Sequence, residues 1–143
     1  MNAKVSPVLD RAQCLALLTT VPIGRVVYTD RALPAVMPVS FVLDGDHVAF
    51  RVRAGSRLAV ALHDAVVTFE VDDFDPANLA GWSVTVTGAA RAVTSSAEAV
   101  RMARLPFRSW PPVANARFVR IPTQHISGGR LAGTGPRPLR STP

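Results

Sequence analysis

The run from Trp82 to Val93 constrains this chain most, because Trp82, Val84 and Val86 alternate with Ser83, Thr85 and Thr87. A period of two puts the large apolar side chains on one face of a strand and the hydroxyls on the other, so this segment belongs in a sheet with one wet face. Further apolar runs of strand length lie at Gly24 to Thr29, Ala35 to Leu43, His47 to Arg53 and Val66 to Val71. Asp30-Arg31 and Asp44-Gly45-Asp46 separate the first three and read as the hairpin turns of a meander. Phe118 to Ile121 and His125 to Ser127 can each supply a short closing strand. Such a sheet leaves exposed edges unless it closes, so the expected class is mainly β, a barrel of antiparallel strands with short flanking helices.

Three helices interrupt the strands. Asp10 followed by Gln13 has the spacing of a capping box and opens a helix to about Thr19. Ser56 can cap a short helix over Arg57 to His63, and Ser95 with Glu98 opens another that runs to about Arg104. Asp72 to Gly81 reads as a loop, and Leu105 to Ala116 is irregular because Pro106, Pro111 and Pro112 interrupt it. The length of 143 residues and a 48% hydrophobic share fit one domain over residues 1–131, followed by a Gly/Pro/Arg-rich tail over 132–143. Cys14 stands alone among Leu15, Leu17 and Leu18 as a small buried residue, which suits a reducing compartment. The first ten residues lack the pattern of a secretion signal, and no run approaches the about 20 apolar residues of a membrane span, so a cytoplasmic location is expected.

The net charge of +6 is unevenly spread. Residues 99–143 carry eight arginines and no acid, from Arg101 to Arg140, whereas the first 98 residues are slightly acidic. A bound phosphate, the acidic surface of a second subunit and nucleic acid are three possible counterparts, and a bias toward arginine throughout the chain accounts for part of the pattern. The acidic group Glu70, Asp72, Asp73 and Asp75 is expected as a solvated loop or as one such counterpart.

The segment Phe50 to Leu58 carries the clearest chemistry. Arg51 and Arg53 alternate onto one face of a strand, opposite Phe50 and Val52. Gly55 then allows close backbone approach, Ser56 offers a hydroxyl, and Arg57 can grip two phosphate oxygens at once. By local chemistry this is a plausible anion site, and a solvated surface would have the same composition.

The segment resembles the strand-to-helix signature of the pyridoxamine-phosphate-oxidase-like flavoproteins, the FMN-binding split-barrel family, in its small actinobacterial-type flavin or deazaflavin oxidoreductase branch. Blocks on both sides match in order: Gly24-Arg25-Val26-Val27, Leu33 to Val36, Met37 to Phe41, Val67 to Asp73 and Gly81 to Ala90, within a coverage of about Asp10 to Leu131. The resemblance implies a six-stranded antiparallel split β-barrel and a homodimer with two cofactor sites at the subunit interface. Carried over by position, Arg51, Ser56 and Arg57 would hold the FMN phosphate, and Pro38, Val39 and Ser40 would line the ring. Trp82 and Ser83 would face the cofactor, from the neighbouring subunit in one arrangement. Val52 stands where the family often has a threonine, so a phosphate hydrogen bond is lost there, and Arg53 is an added charge beside it.

The function this implies is an FMN-dependent oxidoreductase acting on a small molecule. A deazaflavin-coenzyme-dependent reductase and a non-catalytic flavin-binding or redox-sensing protein are the alternatives. Authentic pyridoxamine-phosphate oxidase activity is not expected, because Phe118 to Leu131 lacks the family's arginine-histidine substrate motif. No metal site is expected from His47, His63 and His125, which lack ligand spacing. Ser40, Ser83 and Ser127 lack a nucleophile elbow. Nucleic acid is disfavoured as a partner because the arginines lack interleaved aromatics.

Overall fold

The computed structural model describes residues 5–108 and 115–133. Strand β1 (Val5–Val8) precedes helix α1 (Arg11–Leu18), and β2 (Ile23–Asp30), β3 (Leu33–Asp44) and β4 (His47–Arg53) follow as a meander. Helix α2 (Arg57–Ala61) leads into β5 (Val66–Phe74), β6 (Gly81–Ala89) and the two-residue β7 (Arg91–Ala92). Helix α3 (Ser96–Met102) precedes β8 (Ala116–Pro122) and β9 (His125–Leu131). Trp110, Pro111, Pro112 and the tail from residue 134 lie outside the described residues. No helix among the described residues is long and apolar enough to cross a membrane.

All strand pairs are antiparallel, in the order β1-β9-β6-β5-β2-β3-β4-β8-β7. The sheet curls until β6 packs beside β8, where a Cβ at Gly88 would lie 3.2 Å from Pro122. The result is a mainly β split barrel. Its nine strand segments exceed the six that the resemblance implied, because all seven runs read from the sequence form strands and two more, β1 and β7, join them. Strand β1 adds an edge beside β9, where Pro7 withdraws no hydrogen bond from a central ladder. The expected strand over Trp82 to Val93 breaks at Ala90, whose N–H bonds Ala65 O at 2.8 Å, and the chain then pairs with β8 as β7. Asp72 and Asp73, expected in a loop, extend β5 because Ser83 and Trp82 on β6 pair with them. Tertiary pairing overrides weak strand propensity here.

Local signals set the helices. Asp10 and Gln13 form the full capping box of α1, and the Ser56 and Ser95 hydroxyls accept from the N–H groups of Ala59 and Glu98. Cys14 and Leu18 from α1, Leu62 after α2 and Met102 of α3 are buried, so each helix is pinned to the barrel by its apolar side. Burial pushes the Cys14 thiol up from its ordinary value.

The barrel interior is filled by Val26, Phe41, Phe50, Phe69, Val71, Val84, Val86 and Ile121. Phe69 meets Phe41 edge-on at 4.9 Å and stacks near-parallel on Phe50 at 6.0 Å. Gly24 makes room for it, since a Cβ there would lie 2.4 Å from Phe69 Cζ. Alternation therefore sends Ser40, Arg51, Arg53 and Phe118 outward.

Candidate functional site

Strand β3 changes partner along its length. Leu33 to Ser40 pair with β2, and Phe41 to Asp44 pair with β4. The last β3–β4 pair is Phe41 with Phe50, so Ser40 and Arg51 are the first residues on the two lips where the strands part. Beyond that point β4 keeps only β8 as a partner. This opening is the split of the barrel.

Both lips point donors at one atom. The Ser40 hydroxyl donates to the main-chain carbonyl of Arg108 at 2.9 Å, and Arg51 Nη2 donates to the same oxygen at 3.2 Å. The Arg51 guanidinium also lies over the Phe107 ring, 4.9 Å from its centroid, and Phe107 packs on Phe118 of β8 at 5.7 Å. A hydroxyl and a guanidinium converging on one oxygen form a recognition element for a carbonyl, carboxylate or phosphate oxygen.

The remaining expected site residues divide into groups. Pro38 and Arg53 are exposed on the same side as Ser40 and Arg51. Val39, Val52 and Trp82 belong to the buried core. Val52 thus turns its side chain inward, away from the face that carries Arg51 and Arg53. Ser83 points outward on β6, which is separated from β3 by β5 and β2, so it does not meet Ser40 within one chain. Ser56 sits at the N-cap of α2, and Arg57 Nη2 is paired with Asp30 Oδ2 at 2.7 Å. Arg57 is therefore held toward the end of β2, and a phosphate would compete with that carboxylate for it.

Two charge clusters explain acids and arginines that the sequence left unassigned. Arg101 grips Asp44 through two nitrogens at 2.9 and 2.8 Å and also bonds Glu98, while Arg120 lies 3.4 Å from Asp44 and 3.6 Å from Glu98. These contacts hold the Asp44 and Glu98 carboxyls below their usual range and push Arg101 up. Two of the C-terminal arginines are thus answered within the chain. On the other side, Arg25 lies 3.3 Å from Glu70 and 3.5 Å from Asp72. Partial burial, then the hydrogen bond and charge of Asp72, push Glu70 up to about 7, against the opposing pull of Arg25. Glu70 and Asp72 answer Arg25 rather than the C-terminal third. Among the described residues, no group of three His, Cys, Asp or Glu side chains is placed to hold a metal ion.

Residues 10–130 match the family described as pyridoxamine 5'-phosphate oxidase. The chain belongs to that family. An uncharacterised protein of Mycobacterium tuberculosis is 36% identical over 135 residues, spanning 91% of this chain and 88% of the relative. The solved FAD binding protein of Mycobacterium smegmatis superposes with a TM-score of 0.74 at 32% identity, covering 87% of this chain and 97% of its own. A conserved protein of unknown function from Corynebacterium diphtheriae gives a TM-score of 0.75 at 32% identity, covering 88% and 98%. The family match begins at Asp10 and ends one residue before Leu131, the limits the sequence resemblance implied.

Sequence reasoning missed three members of the site region: the Arg108 carbonyl, Phe107 and Asp30. A main-chain acceptor leaves no trace in residue identity. Asp30 was visible only as a turn residue.

Proposed function

We propose that this member of the family binds a flavin nucleotide at the split between β3 and β4 and serves as a small flavin-dependent oxidoreductase. The observation that carries the reading is the convergence of Ser40 and Arg51 on a single oxygen at the two lips. The relative named for FAD binding supports the flavin class, and favours a dinucleotide over the FMN expected from the sequence. A bound flavin would supply the hydride or electron chemistry, leaving the protein to bind and orient it.

In this reading Arg51 neutralises a phosphate and Ser40 donates to an adjacent ligand oxygen. We assign the exposed Arg53 to the further phosphate of a dinucleotide. The cofactor would be completed from a second copy of the chain, which is how Ser83 would reach it. Ile23, Val27 and Val36, exposed on β2 and β3 around Arg25, which stands opposite Pro38, are the apolar part of the face assigned to that copy.

Titration of purified protein with FAD, FMN and a deazaflavin coenzyme, followed by flavin fluorescence, tests the assignment. Saturable binding of FAD is expected, with Arg51→Ala weakening it at least about tenfold, the scale of a lost charge-assisted contact. Equal affinity in wild type and Arg51→Ala, or no saturable response to any of the three, would refute the site.

A further inference from the structure

We propose that Leu105 to Arg108 form an intrinsic strap that competes with the flavin. The Arg108 carbonyl fills the position between Ser40 and Arg51 that a ligand oxygen would take. This inference rests on the flavin reading above and concerns the regulation of that same site.

The strap is attached in a way that permits displacement. It enters from α3, whose last residue, Met102, is fully buried, and Leu105 N–H still bonds Met102 O at 3.1 Å. Past that anchor, Phe107 N–H is spent locally on Leu105 O at 2.8 Å. The described contacts that hold the strap across the opening are the two donations to Arg108 O, the Arg51–Phe107 contact and the Phe107–Phe118 contact. No strand pairing ties residues 105–108 to the sheet. Pro106 and Arg108 are exposed, and Phe107 is half-buried.

On its α1 side the strap borders a cavity of about 300 Å³, lined by Thr19, Thr20, Val42 and Leu43 with Pro106 and Arg108. Space beside the strap lets it shift without overpacking the core. The donors are the decisive point. Ser40 has a single O–H, already given to the Arg108 carbonyl, and Arg51 aims one Nη2–H at the same oxygen, so a flavin oxygen seated between the two lips must take that place from Arg108. A ligand that binds the open arrangement better draws the equilibrium toward it, and the strap lowers apparent affinity by the fraction of chains it closes.

The experiment measures FAD affinity by fluorescence in wild type, Phe107→Ala and Phe107→Leu, and tryptic cleavage after Arg104 and Arg108 with and without FAD. Phe107→Leu keeps apolar packing on Phe118 while removing the aromatic face, and serves if the alanine variant fails to fold. Loss of the cation–π contact should raise FAD affinity about two- to fivefold. FAD should also speed cleavage at both arginines in the wild type. Affinity that falls or stays unchanged, or cleavage that slows with FAD, would overturn the strap and leave the flavin reading standing. If neither wild type nor variants bind FAD or FMN, the flavin reading fails and the strap falls with it.

Discussion

Glu70 offers the sharpest test of the electrostatics, and Glu70→Gln is the perturbation. The carboxyl sits on the outer side of β5 beside Asp72 and opposite Arg25, with its side chain a quarter exposed. Its pKa rises from an ordinary 4.5 to about 7, chiefly through burial and then through Asp72. Between those values the folded protein keeps a proton that the unfolded chain has released, so stability is greatest below pH 4.5 and declines as pH rises through 7. At about 1.4 kcal/mol per pH unit the whole separation sets a ceiling of about 3 kcal/mol, and partial exposure reduces it to about 1–2 kcal/mol. Glutamine mimics the protonated side chain and cannot ionise. Urea unfolding of wild type and variant at about pH 5 and about pH 8 should therefore show near-equal stability in acid and a variant more stable by about 1–2 kcal/mol in base. Identical pH slopes would refute the argument. A wild type that gains on the variant in base would show that Arg25, not burial and Asp72, governs the group.

Gly24→Ala should cost about 1–3 kcal/mol, because its Cβ would meet Phe69 at 2.4 Å inside a close-packed core; thermal denaturation reads the loss. Replacing Arg31-Ala32, both at positive φ (52° and 66°), with Asn-Gly should stabilise the β2–β3 hairpin by about 1 kcal/mol, seen as a higher urea midpoint. Arg57→Ala should weaken FAD binding at least about tenfold if Arg57 leaves Asp30 for the phosphate. Asp30→Asn should then strengthen binding, and an unchanged affinity in both variants would remove Arg57 from the site.

Where a physical signal is local, the sequence displays it. The alternation of Trp82 to Thr87 revealed β6, the pairing of Asp10 with Gln13 revealed the start of α1, and Ser56 revealed the cap of α2. Strand β1 was hidden because Val5-Ser6-Pro7-Val8 has no period and exists through its pairing with β9. The limits of β5 were misjudged because partners on β6 outweigh the turn character of Asp72 and Asp73. Ser40 and Arg51 were legible as separate candidates through the family resemblance, one for the ring and one for the phosphate. That they meet follows from where β3–β4 pairing stops, a long-range fact. The same reason conceals the arginine network, in which Asp44 and Glu98 take charges that the sequence left open to an external anion.

The change of partner within β3 also decides where this chain can be cut. One unbroken backbone carries the ladder to β2 up to Ser40 and the ladder to β4 from Phe41, so a nick there would separate two half-sheets that share no other consecutive residues at that corner. A circular permutant opened at Gly45-Asp46 keeps both ladders whole, whereas one opened between Val39 and Phe41 should lose the corner. Ser40, which bears one of the two candidate ligand contacts, is thus also the last residue of one ladder, directly before the first residue of the other.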